Sequence, residues 1–127
     1  MANVNLSVLG YPTSVGSKNY MKWDHYGPAS YVAYNASTGA GDIVNASDLG
    51  FGGFDSVGAS WSGYSNSGNY IVTVQQTKAN DVPAGSAGSR VTIQWFTTSG
   101  AFGAKSTEVT GATGLTAEYV RLDAFVV

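Results

Sequence analysis

Apolar and polar residues alternate along most of the chain with a period of two. The alternation is clear over residues 3–8, where Val4, Leu6 and Val8 are separated by polar residues, and again over residues 119–126. Alternation of this kind puts one set of side chains on each face of a β-strand. We therefore expect a chain built from half-buried strands, the first beginning almost at residue 1.

Turn-forming clusters rich in Gly, Ser, Asn and Pro separate the alternating runs. The first strand is expected to end at Gly10-Tyr11-Pro12. Further strands are predicted over residues 18–25, 29–35, 54–61, 70–75 and 90–97, with weaker candidates at 43–44 and 105–109. No run has the period of an amphipathic helix. The predicted fold is all-β, a single β-sandwich or jelly-roll-like barrel of about 7–9 short antiparallel strands with little or no helix.

Size and composition limit both the architecture and the chemistry. A chain of 127 residues with 43% hydrophobic content supports a single domain, which we place at residues 1–127. It has 0 Cys and 1 His, which excludes disulfides, thiolate metal sites and multi-histidine metal sites within one chain.

Charge and targeting features argue against two classes of partner. The 6 basic residues are scattered and the net charge is -2, so neither nucleic acid nor a membrane is an expected partner. The chain has no apolar run long enough to span a bilayer. Residues 1–6 lack the basic and apolar regions of a signal peptide, so we expect a protein made in the host cytoplasm and not secreted.

Few residues suggest catalysis. His25 is the sole imidazole, and Asp24 beside it would point to the opposite face of a strand, so His25 is expected to be a strand-end residue packed on Trp23 or Tyr26. Asp42, Asn45 and Asp48 are oxygen donors three residues apart, but no calcium-loop motif contains them and turn formation is the simpler role. We predict a protein that is not an enzyme, with no catalytic residue, metal ligand or cofactor.

Aromatic residues are the most informative group. Trp23, Trp61 and Trp95 fall on apolar strand faces and are expected in the core. Tyr11, Tyr26, Tyr64 and Phe102 stand among Gly, Ser and Asn, a setting typical of adaptable contact surfaces and of rings that stack on sugars; the remaining possibility is that such rings simply close the ends of a sandwich.

The density of charge is low, at 11% of residues, so much of the surface must be uncharged. Such a surface suits a subunit whose neighbours cover it in an assembly. Apart from Lys18 and Lys22, the predicted strands carry few of the Lys or Pro residues that protect strand edges, and unprotected edges favour pairing between chains.

Segments at both ends of the chain resemble small virion proteins of tailed phages. They are Met1–Ser14, Arg90–Phe96, Ser106–Thr110 and Gly114–Phe125. The resemblance implies a capsid decoration (cement) protein or a similar subunit of the phage head, located in the virion. It supplies no catalytic residues.

Two functions follow as hypotheses. The first is a non-enzymatic phage structural protein, most simply a decoration subunit that binds the outer capsid lattice and stabilises the shell. Its partners would be the major capsid protein and further copies of itself. The alternative is a carbohydrate-binding β-sandwich, either a lectin-like module or the receptor-binding tip of a fibre. The expected partner contacts are Val4, Leu6, Val8, Tyr26, Tyr64 and Phe102. Either the strand near residues 3–9 or the last strand would pair or pack with a neighbour.

Overall fold

The chain forms two antiparallel β-sheets. The computed structural model describes residues 5–59, 63–75, 88–98 and 107–127. The described strands are β1 (Asn5–Val15), β2 (Lys18–Tyr26), β3 (Asp42–Asn45), β4 (Phe54–Ala59), β5 (Tyr70–Gln75), β6 (Arg90–Thr97), β7 (Thr107–Glu108) and β8 (Tyr119–Val126). A single 3₁₀ turn at Ala46–Leu49 is the one helical element in these ranges. None of the described helical structure has the length and apolarity of a bilayer span.

The first sheet has the strand order β1-β2-β8-β4 and the second the order β3-β6-β5. Strand β5 pairs with residues 92–97 of β6, while β3 and β7 share the opposite edge of β6 at its two ends. The core combines buried side chains of both sheets, such as Trp23 and Leu122 from the first and Ile93 and Trp95 from the second. Two open sheets packed over one core form a sandwich rather than a closed barrel, and the all-β prediction is confirmed.

Strand alternation follows the sequence pattern closely. On β2, Met21, Trp23 and His25 are buried while Lys22 faces solvent. On β8, the side chains of Val120, Leu122, Ala124 and Val126 are all buried. The expected core positions of Trp23 and Trp95 are confirmed, each side chain being fully buried. Trp61 lies outside the described residues.

Strand β1 is longer than predicted. It does not end at Gly10-Tyr11-Pro12 but continues to Val15. The register runs from Leu9 opposite Lys22 to Thr13 opposite Tyr20, so three residues of β1 face one residue of β2. This bulge contains Gly10, whose backbone is left-handed (φ 73°), and Pro12, which has no N–H to donate to the ladder. Turn-forming residues therefore interrupt the ladder without ending the strand.

The predicted strand at residues 29–35 is wrong. The segment is irregular, with an isolated bridge from Asn35 to Ala40. Its backbone bonds instead to the turn before β8: Tyr31 N–H donates to Thr113 and Tyr31 C=O accepts from Ala112. Gly27, which begins the segment, lies so close to Leu115 that a Cβ would overlap it. Residues 29–35 therefore pack against this turn instead of pairing in the β-ladder that their aromatic composition predicted.

Two other predictions fall wholly or partly outside the described residues. The weak strand at 105–109 is described only as Thr107–Glu108, paired with the end of β6. The sequence also predicts a loop over residues 77–89, of which only Gly88 and Ser89 are described.

Candidate functional site

The sole histidine lies in the interior and joins the two sheets. His25 extends from the inner face of β2, and Asp42 begins β3 of the second sheet. His25 Nε2 lies 2.6 Å from Asp42 Oδ2, and the two side chains are 0% and 4% exposed. A pair so enclosed cannot reach a bound substrate. Its position between the sheets makes it an internal connection of the sandwich.

Asp42 also accepts a hydrogen bond from Trp95 Nε1 at 2.9 Å, on the same oxygen that faces His25. An oxygen that accepts two N–H donors fits an ionised carboxylate. Within the described part of the chain, His25 Nδ1 is buried without a hydrogen-bond partner. We therefore assign a hydrogen to His25 Nε2, which donates it to Asp42 Oδ2.

The surroundings of His25 differ from the sequence expectation. Tyr26 lies on the opposite, outer face of the strand, and the ring paired with His25 is that of Trp95, with centroids 6.4 Å apart. Asp24 does point away from His25 as predicted and bonds Arg121 on the outer face at 3.0 Å. A catalytic His25 would need a partner aspartate from elsewhere in the chain. Asp42 is such an aspartate, but it is enclosed in the core.

A second, partly buried carboxylate holds the irregular segment after β2. Glu108 Oε2 accepts from Tyr31 Oη at 2.8 Å and from the Tyr34 backbone N–H at 2.7 Å. Tyr31 Oη in turn accepts from the Trp95 backbone N–H at 3.2 Å. Burial, together with the carboxylate of Glu108, raises the pKa of Tyr31 above its ordinary value. Sequence analysis missed this contact, because nothing in a two-residue strand marks its glutamate as a partner for a tyrosine 77 residues away.

Asp42, Asn45 and Asp48 do not gather into a calcium site. Asp42 is hydrogen-bonded to His25 and Trp95 in the interior. Asp48 Oδ2 accepts a hydrogen bond from the Asn45 backbone N–H at 3.1 Å. Within the described ranges, no group of three or more His, Asp or Glu residues is placed to hold a metal ion. The turn role expected for Asn45 and Asp48 fits this bond.

The outer face of the first sheet carries alternating charged and aromatic pairs between β2 and β8. Tyr20 Oη donates to Asp123 Oδ2 at 2.7 Å, and the Tyr20 and Phe125 rings lie 5.3 Å apart. The bond to Asp123 raises the pKa of Tyr20, and Asp24 raises the pKa of Arg121. The polar groups of Tyr20, Asp123, Asp24 and Arg121 on this face thus have their bonding partners within the chain.

One end of the sandwich carries three tyrosines, which we call the tyrosine end: Tyr26, Tyr64 and Tyr119. The Tyr26 and Tyr119 rings lie 5.2 Å apart, and the Tyr64 side chain is 52% exposed. Asn66, two residues after Tyr64, exchanges hydrogen bonds of 3.0 and 2.9 Å with the backbone of Tyr119. These bonds join the loop that bears Tyr64 to the start of β8.

The same loop is fastened by a carboxylate. Ser65 Oγ donates to Glu118 Oε1 at 2.8 Å, and Ser67 Oγ donates to the same oxygen. The tyrosine end is thus held in shape by hydrogen bonds within the chain.

Among the described strands, β1 and β4 are the two edge strands of the first sheet; we call the first half of β1, residues 5–9, the β1 edge. Leu6 lies opposite His25 and Val8 opposite Trp23, so both belong to the core-facing side. Leu6 packs against the core, but Val8 remains 42% exposed although Trp23 beside it is fully buried. The core side of the sheet therefore extends to solvent at this edge. Tyr11, in the bulge that follows, is 95% exposed.

The predicted contact residues lie on neighbouring elements but on different faces, since Leu6 and Val8 are on the core-facing side of the sheet and Tyr26 on its outer face. The β1 edge begins beside the tyrosine end, since Asn5 lies opposite Tyr26. This places Leu6, Val8 and Tyr26 on neighbouring strands, with Tyr64 on the adjoining loop. Val4 and Phe102 lie outside the described residues. The last strand offers no free ladder edge, because β8 is bonded on both sides, to β2 and to β4, so only its packing against a neighbour stays a prediction.

Comparison with protein-family models, curated proteins and solved structures found no match to the chain.

Proposed function

We propose that the protein is a non-enzymatic structural subunit of a phage particle, a decoration subunit that binds the outer capsid lattice and stabilises the shell. The observation that carries the proposal is the β1 edge. An outermost strand offers backbone N–H and C=O groups that only another peptide chain can pair in a ladder. The partner favoured by this feature is a protein.

The composition of the β1 edge supports the same proposal. Residues 5–9 read Asn-Leu-Ser-Val-Leu and contain no charge, lysine or proline. Edges that must stay free in solution are usually protected by such residues. Here the protection starts only at the bulge with Pro12. Burial of Val8 and the neighbouring apolar surface by a second chain would add to the stability of an assembly.

The tyrosine end supplies the second contact of the proposed subunit. Tyrosine offers a large, rigid contact area at low entropic cost, and it is enriched at protein interfaces. Tyr64 is half exposed, and it stands on a loop fixed by hydrogen bonds to Glu118 and Tyr119. A preformed contact loses less conformational freedom on binding.

The proposal is tested by rebinding. Purified chain is mixed with particles from the native source that have been stripped of it, and bound copies are counted after sedimentation. We expect wild-type chain to saturate the particles, and we expect Val8→Glu and Tyr64→Ala each to lower the affinity about tenfold or more.

Val15→Glu is the matched control for Val8→Glu, because Val15 is also exposed on β1, at 50%, but lies beyond the bulge. It should bind like wild type. Failure of the wild-type chain to sediment with particles would overturn the proposal. Equal binding by all four proteins would overturn the assignment of these two surfaces.

A second candidate function is carbohydrate binding, favoured by the tyrosine end alone. Paired rings beside Asn66, Glu118 and two serines combine flat apolar faces with hydrogen-bonding groups, as a sugar requires. Saturable binding to a glycan panel that is lost in Tyr64→Ala and retained in Tyr11→Ala would favour it. A panel without signal would leave the structural role as the better account.

A further inference from the structure

We infer that one buried water molecule bridges Trp23 and His25 inside the sandwich, at a binding site that is independent of the proposed function. Both residues lie on the core-facing side of β2, and both side chains are fully buried. Within the described part of the chain, Trp23 Nε1 and His25 Nδ1 are the two buried side-chain polar atoms without a hydrogen-bond partner. The atoms that need a partner therefore belong to successive inward-facing residues of a single strand.

The hydrogen-bonding chemistry of the two nitrogens matches that of water. The indole Nε1 of Trp23 can only donate. His25 Nδ1 accepts when the imidazole is neutral, because Nε2 carries the hydrogen donated to Asp42, and it donates when the ring is charged. A water oxygen accepts from Trp23 in either case, and the same water can donate to His25 Nδ1 or accept from it. One water therefore satisfies both nitrogens in both protonation states of His25.

The side chains around the two nitrogens cannot replace the water. The four cross-strand neighbours of Trp23 and His25 all have hydrocarbon side chains, which neither donate nor accept. They are Leu6 and Val8 on β1 and Val120 and Leu122 on β8. In the facing sheet, Asp42 Oδ2 already accepts from two other nitrogens, His25 Nε2 and Trp95 Nε1. Buried polar atoms without a protein partner are the usual sites of internal waters.

The spacing of the two residues suits a single bridging molecule. Alternate residues of a strand lie about 6.6 Å apart. A water that bonds two nitrogens at about 2.9 Å each spans up to about 5.8 Å between them, so the nitrogens need to approach by only about 1 Å. Each ring is also held by a second contact, His25 by Asp42 and Trp23 by stacking on Phe54, with centroids 6.2 Å apart. The water would thus meet partners that are already in place.

Solvent comes close to this site at the β1 edge. Val8 lies opposite Trp23 and is 42% exposed, although Trp23 itself is fully buried. One strand spacing, about 4.8 Å, separates the two backbones. A water molecule can therefore enter and leave through local motion of this edge, without separation of the two sheets.

Nuclear magnetic resonance of the isotopically labelled full chain tests the inference in solution. We expect a cross-peak between water and the indole proton of Trp23, with opposite signs in NOE and ROE spectra, as a water bound for longer than the tumbling time of the protein requires. The indole proton of Trp95 is the matched control, because it is equally buried but bonded to Asp42, and it should show no such peak. Sequential connectivities assign both signals, and loss of one of them in Trp23→Phe checks the assignment.

A high-resolution crystal structure of the full chain distinguishes water from a hydroxyl group of the protein, which could relay the same magnetisation. We expect one ordered water within about 3.2 Å of both Trp23 Nε1 and His25 Nδ1.

Three results would overturn the inference. The first is the lack of a water cross-peak at the Trp23 indole proton. The second is a peak of equal strength at Trp95, which would mean that water penetrates the core without a specific site. The third is a crystal structure in which a protein atom bonds either nitrogen, or in which no water lies within reach of both.

Discussion

The interior junction of the two sheets and the β1 edge use opposite kinds of residue for opposite purposes. At the junction, His25, Asp42 and Trp95 form a buried polar cluster whose hydrogen bonds join strands of both sheets. At the edge, Leu6 and Val8 form an apolar surface that is only partly covered. His25, Asp42 and Trp95 are thus bonded to one another inside the fold, whereas Val8 leaves apolar surface exposed to solvent.

The largest expected effect comes from removing the carboxylate at the junction. Asp42→Ala would leave His25 Nε2 and Trp95 Nε1 as buried donors without an acceptor. Leaving a buried donor without an acceptor costs about 1–3 kcal/mol of unfolding free energy for each donor. Urea unfolding followed by tryptophan fluorescence measures the loss.

The control is Asp55→Ala, since Asp55 forms an ion pair with Lys18 in which both side chains are about 40% exposed. Solvent screening limits that loss to about 0–1 kcal/mol. Similar losses in the two variants would remove the distinction between the interior and the surface.

A smaller effect is expected where the irregular segment after β2 docks on the turn before β8. In Gly27→Ala the added methyl group would overlap the Cβ and carbonyl of Leu115. Overpacking of this kind costs about 1–3 kcal/mol. Gly52→Ala is the matched control, because its Cβ would make an ordinary contact of 3.6 Å with Val127 O. Thermal unfolding of both variants compares them; an unaffected Gly27→Ala would mean that this docking is loose.

Alkaline pH should weaken the interior through Tyr31. The pKa of this phenol is raised by burial and by Glu108, so the folded protein keeps it neutral where the unfolded chain ionises it. The contribution of Tyr31 to the free energy of unfolding is therefore fully present below about pH 10 and is lost as pH rises above that value. In Tyr31→Phe the free energy of unfolding should fall less steeply above pH 10, with a slope that differs from wild type by up to about 1.4 kcal/mol per pH unit. Urea unfolding at a series of alkaline pH values measures the slope, and identical slopes in both proteins would contradict the burial of a neutral phenol.

The smallest effect on stability is expected at the bulge of β1. Tyr11 is 95% exposed, so Tyr11→Ser should change the free energy of unfolding by no more than about 0.5 kcal/mol. Differential scanning calorimetry detects any larger change. A loss of several kcal/mol would show that the bulge stabilises the folded chain itself.

Local alternation predicted the strands and the two faces of β2 and β8, because a period of two maps directly onto the sides of a sheet. The burial of Trp23 and the outward direction of Asp24 could be derived in this way. Non-local contacts could not. His25 meets an aspartate 17 residues away across two sheets, and a single sequence carries no signal of which strands will pack together.

Turn-forming residues and aromatic runs were the misleading signals. Pro12 indicated the end of a strand, yet a bulge accommodates it at an outermost strand, where its missing N–H costs little. Residues 29–35 have β-forming composition, yet the backbone of Tyr31 is bonded by the neighbouring turn. In both places tertiary surroundings outweighed local preference.

Density-gradient sedimentation of the native source material is the direct test of the proposed role as a particle subunit. The chain and the major shell protein are quantified in every fraction. For a decoration subunit we expect the chain to sediment with the particles, in a nearly stoichiometric ratio to the shell protein. Recovery of the chain only at the top of the gradient, free of particles, would contradict it.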